Sequence, residues 1–156
     1  MNFLKNMKNG LLTLTGAALL AASLSSTAYA GPVGLVSISS HSNFGMTVSK
    51  LKTAVSENGL MVLKVFNQQM MLNMVGVHAP KEMTFELFQP KYGKVVYDAS
   101  PVDFLAVPLR ILVVQTGSTA KIYYQKPSVV LDSFGLSNLG TKMNLKFQAI
   151  AATAAK

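Results

Sequence analysis

Residues Leu109 to Thr116 read LRILVVQT, and after a Gly117-Ser118 turn Ala120 to Gln125 read AKIYYQ. Two runs rich in β-branched and aromatic residues, separated by a glycine-containing turn, specify a β-hairpin. In the first run Leu109, Ile111 and Val113 fall on one side and Leu112 and Val114 on the other. A strand apolar on both sides belongs in a sheet covered on both faces. Tyr123 and Tyr124 of the return strand point to opposite faces, so one pocket receives at most one of them.

Working outward, Val33 to Ser39 (VGLVSIS) alternates as a strand, and Leu60 to Phe66 (LMVLKVF) and Thr84 to Gln89 (TFELFQ) supply two more. In Leu60 to Phe66, Leu60, Val62 and Phe66 are read on one face and Met61, Leu63 and Val65 on the other. Ser42 or Asn43 caps a helix that carries Phe44, Val48, Leu51 and Val55 on one side, and Gly59 suits the left-handed position after its end. Gln68 to Met74 (QQMMLNM) reads as a short helix, and Lys91 to Val107 as a short helix and loops. Leu136, Leu139, Met143, Phe147, Ile150 and Ala154 define an amphipathic C-terminal helix with Gly140 as its weak point. This order predicts an α+β, two-layer sandwich: a small mixed or antiparallel sheet with helices mainly on one face. No glycine-rich phosphate loop joins a strand to a helix.

The chain has 156 residues, 50% apolar and 13% charged, with a formal charge of +8 and no cysteine. That excludes a disordered chain, a disulfide scaffold and thiol chemistry. Residues 1–30 carry Lys5 and Lys8, an apolar stretch from Leu11 to Leu24, and Ala28-Tyr29-Ala30, the pattern of a cleaved signal peptide. The expectation is therefore one domain over residues 31–156, periplasmic or secreted, with no membrane span after cleavage. The lysines are scattered without a long basic run, which argues against nucleic acid.

The ordered pieces GLVSISSHSNFGMTVSKLKTAVSENGLMVL (Gly34 to Leu63), FQPKYG (Phe88 to Gly93), VPLRILV (Val107 to Val113) and YYQKP (Tyr123 to Pro127) resemble the family of domain of unknown function 302. The resemblance implies a compact α+β fold, often exported and tending to pair, with no established activity. It also implies an Asp-His pair after the second strand, where this chain has Asn67-Gln68. Neither amide titrates, so acid–base capacity is lost at that place while hydrogen bonding is kept.

Of the two histidines, neither His41 nor His78 has ligand spacing, and no G-x-S-x-G is present. Met70, Met74 and His78 form a weak soft-metal candidate set, with packing of the methionines into the core as the favoured reading. Arg110 stands between apolar neighbours and requires a partner, Asp98, Asp103 and Asp132 being candidates, or an anionic ligand. Asn67, Gln68, Arg110 and Tyr124 are the candidate ligand-binding residues. The resulting expectation is a non-enzymatic domain without a cofactor, binding a small ligand or an envelope protein. The rival is an accessory catalyst or redox-related protein holding a small anion at Arg110 and Asn67/Gln68. Because the two clearest amphipathic helices cover only one sheet face, a homodimer is expected, unless Lys91–Val107 folds over the other face.

Overall fold

The computed structural model describes residues 31–156; the signal-peptide expectation lies outside the described residues. Five strands, β1 (Leu35–Ser40), β2 (Met61–Asn67), β3 (Glu82–Phe88), β4 (Leu109–Thr116) and β5 (Thr119–Gln125), form one sheet in the order β1-β5-β4-β3-β2. Every neighbouring pair is antiparallel. The helices are α1 (Phe44–Glu57), α2 (Gln68–Asn73), α3 (Pro90–Ala99), α4 (Pro127–Asp132) and α5 (Ser137–Ala155), with a 3-10 helix at Pro101–Ala106. The fold is thus an α+β sandwich whose sheet is wholly antiparallel. The sequence reading missed α4, a short helix begun by Pro127 at a position where proline is favoured.

Local chemistry explains the boundaries. Asn43, rather than Ser42, caps α1: its Oδ1 accepts from the Met46 amide at 2.9 Å. The helix closes with Leu60 N–H donating to the Val55 carbonyl, and Gly59 takes φ +71° to permit it. α1 and α5 pack together and against one sheet face, burying Leu51, Val55, Phe147 and Ile150 with Phe85, Ile111, Val113 and Ile122. The core and all strand pairs lie within Gly31–Lys156, which forms a compact unit of its own.

The structure corrects one expectation and removes one alternative. A bulge between Val62 and Lys64 shifts the β2 register, so Val62 and Val65 stand opposite the buried Leu87 and Phe85 while Phe66 stands opposite Thr84. Phe66 therefore joins the other face, because one extra residue inverts every side chain beyond it. The segment Lys91–Val107 does not fold over the open face: Val96 and Ala106 join the core on the helical side, with Tyr92 and Val107 packed against it.

Candidate functional site

Strand alternation decides which side chains reach the face without α1 and α5. Directly opposed residues place Phe66, Thr84, Leu112, Tyr123 and Ser37 in one row across all five strands. Lys64, Glu86 and Arg110 form the next row, and Glu82, Val114, Lys121 and Ser39 the row on the other side. Phe66, Leu112, Val114 and Tyr123 are each half-buried, although among the described residues no long helix covers them. Among the described residues, α2 reaches this side at one corner, through Gln68.

That corner contains the Asn67-Gln68 pair. Asn67 Oδ1 accepts from the Met70 amide at 3.0 Å and so caps α2. Its side chain is committed to ending a strand and starting a helix. Gln68 Nε2 donates to Thr84 Oγ1, while its Oε1 is buried with no partner among the described residues. An unmet acceptor of this kind is costly unless water or a ligand supplies a donor. Gln68 and Arg110 thus share a face, attached to neighbouring rows of β3 and β4.

Arg110 departs from the expectation. Its Nε donates to Glu86 Oε1 at 3.2 Å, with 66% of the arginine side chain exposed and 16% of the glutamate. None of Asp98, Asp103 and Asp132 is the partner; Asp98 instead pairs with Lys94 at 2.6 Å. The apolar neighbours Leu109 and Ile111 point to the helical side, and alternation delivers Arg110 to the opposite one, where Glu86 is its cross-strand neighbour. Glu86 and Thr84 were missed because their importance depends on the β3–β4 register, which a single strand's sequence does not contain.

Tyr124 does not join this set. It is 7% exposed on the helical side, with its ring edge-on to Phe147 at a centroid distance of 5.6 Å. Burial pushes its hydroxyl pKa above the usual 10.0. The structure therefore brings Gln68 and Arg110 to one face, uses Asn67 as a cap and sends Tyr124 to the other layer.

The methionines are also corrected. Met70, Met71 and Met74 are 57%, 44% and 80% exposed, not packed in the core. α2 is only a short helix at the sheet corner, and it buries no residue. His78 is exposed in the following loop. Met61 and Leu63 on β2 are exposed as well, so the β2 edge and the α2 segment form a largely apolar border to the bare face. Among the described residues, no group of three His, Cys, Asp or Glu side chains is placed to hold a metal ion. No helix there is long and apolar enough to cross a membrane.

The architecture has known counterparts. The crystal structure of an uncharacterized conserved DUF302 protein from Bacillus stearothermophilus superimposes with a TM-score of 0.73 at 16% identity, covering 80% of this chain and 100% of that one. At that identity the likeness is one of fold. No curated protein matches the chain. The family model described as domain of unknown function DUF302 matches residues 36–154, from the first strand to the end of α5. With that match spanning the sheet and both large helices, the chain belongs to the DUF302 family.

Proposed function

We propose that the chain is exported, cleaved after Ala30, and works in the periplasm or outside the cell as a non-enzymatic binding module whose bare sheet face is the contact surface. Its first occupant is a second copy of the chain, giving a homodimer; an envelope protein or small ligand is the wider class. The observation that carries this reading is the half-buried row of Phe66, Leu112 and Tyr123 with Val114, on a face that has no covering helical layer among the described residues. Soluble monomers seldom leave a contiguous apolar patch beyond roughly 300–600 Å² exposed. Closed twofold pairing is the commonest way to cover one. Leu112, at the centre of the row, is the residue whose loss of apolarity should matter most.

Light scattering on the chain from Gly31 to Lys156 at tens of micromolar tests it. The expected mass is twice that of the chain, and Leu112→Lys should return it to a monomer with an unchanged circular-dichroism spectrum. A monomeric wild-type chain would sink the pairing.

A second reading has its own support, the Gln68 Oε1 that has no partner among the described residues and lies on the same face as Arg110. There Arg110 and Gln68 would hold a small anion for an accessory catalytic or redox role. A rise in melting temperature with one member of an anion panel, abolished by Arg110→Ala, would favour this reading over the first.

A further inference from the structure

The side chain that the fold removes from Arg110, Tyr124, stands in a different depression. A groove of about 410 Å³ runs between the β1 edge and α5, lined by Val36, Ile38, Tyr124, Lys126, Asn144 and Gln148. Its volume falls within the roughly 300–1,000 Å³ range of small-molecule sites. Val36 lies directly opposite Tyr124 in the β1–β5 pairing, and Ile38 is the next residue of β1 on that face. Asn144 and Gln148 are one helical turn apart on α5, so both present to the same groove.

Each polar lining residue can supply a donor. Tyr124 is 7% exposed and is one of the lining residues. At neutral pH a tyrosine hydroxyl carries its proton and can donate to a ligand. Asn144 Oδ1 accepts from the Ser128 amide at 3.0 Å, and its Nδ2 donates to Ser128 Oγ at 2.8 Å. That pairing fixes the amide's orientation and leaves one N–H of Asn144 for a ligand. Lys126 supplies a single positive charge, and no carboxylate is among the lining residues.

We propose that this groove binds a monocarboxylate with an alkyl body. The carboxylate lies between the Lys126 ammonium and the Tyr124 hydroxyl, within reach of the Asn144 amide, and the alkyl chain lies along Val36 and Ile38. One cation matches one negative charge, and the apolar floor separates such a ligand from an inorganic anion. The site is on the helical side of the sheet and independent of the bare face.

Titration calorimetry of the Gly31–Lys156 chain with decanoate, kept below micelle-forming concentrations, tests the proposal. The expected result is saturable binding of one decanoate per chain, with decanol at least tenfold weaker. Tyr124→Phe keeps the ring against Phe147 and removes only the hydroxyl; it should weaken decanoate roughly tenfold, as should Lys126→Met, since each removes one charge-assisted contact. Leu112→Lys, on the other side of the sheet, should bind decanoate as wild type does, whatever its effect on pairing. Absence of saturable decanoate binding, equal affinity for decanol, or unchanged affinity in Tyr124→Phe and Lys126→Met would each overturn the assignment.

Discussion

The two faces of the sheet are made from the same strands yet obey different rules. On the helical face, Phe85, Ile111, Val113, Ile122, Phe147 and Ile150 are fully enclosed between sheet and helices. On the bare face the neighbours in sequence, Thr84, Leu112, Val114 and Tyr123, are half-buried and interspersed with Lys64, Glu86, Arg110 and Lys121. The first face is a core, in which shape complementarity sets stability. The second mixes apolar and charged side chains, and the proposed pairing rests on that mixture. A single strand, β4, serves both purposes because successive side chains alternate.

The strongest way to break this contrast uses adjacent residues of β4. Ile111→Ala should cost about 2–5 kcal/mol, since its surroundings are closed and a cavity would remain. Leu112→Ala, read at a concentration low enough to hold the chain monomeric, should cost about 1 kcal/mol or less, because the site is already half open to water. Urea denaturation of both variants gives the comparison, and similar losses would mean the bare face is as structural as the covered one.

A smaller effect tests how tightly the helical layer is packed. Gly140 looks like a weak point in α5, and helix propensity alone favours alanine there by about 1 kcal/mol. In the fold, a Cβ at this position would lie 2.6 Å from Ser128 Cα and 3.1 Å from the Pro127 carbonyl oxygen. The contacting atoms are backbone of α4, so they have little freedom to withdraw. Gly140→Ala should therefore destabilise by about 1–3 kcal/mol, the range for overpacking. A thermal melt showing stabilisation would mean that α4 yields easily and that the layer is looser than its contacts indicate.

The smallest effect concerns Tyr124 and alkaline pH. Burial raises its folded-state pKa above 10.0, so the folded chain holds that proton more tightly than the unfolded chain. The resulting contribution to stability is fully present below pH 10 and is lost as pH climbs through the raised value. Tyr124→Phe should accordingly show a shallower loss of stability above pH 10 than the parent chain in urea titrations. Identical slopes would place Tyr124 in a more hydrated setting than the covered face provides.

The residues that hold the fold were readable because local chemistry marks them. The LRILVVQT and AKIYYQ runs, the Asn43 cap and the Gly59 exit each announce an element without help from distant residues. The candidate site was less readable. Asn67 and Gln68 stand out as polar residues after an apolar strand, but only the turn into α2 makes Asn67 a cap, and only the β2–β3 pairing gives Gln68 its partner Thr84. Methionines at helical spacing suggest core packing, whereas α2 buries none of its residues at the sheet corner.

By itself, the sequence determined the element types, the hairpin between β4 and β5, and the presence of more apolar strand surface than two helices can cover. Those properties follow from periodicity, capping and turn chemistry within a few residues. The tertiary structure alone decided that Arg110 meets Glu86 rather than an aspartate, that a bulge sends Phe66 to the bare face, that Gly140 is required by α4, and that Tyr124 lies in the groove beside α5. Each of these depends on strand register or interhelix distance. Both quantities are set by the packing of the whole chain, and a shift of one residue in register reverses every side chain it carries.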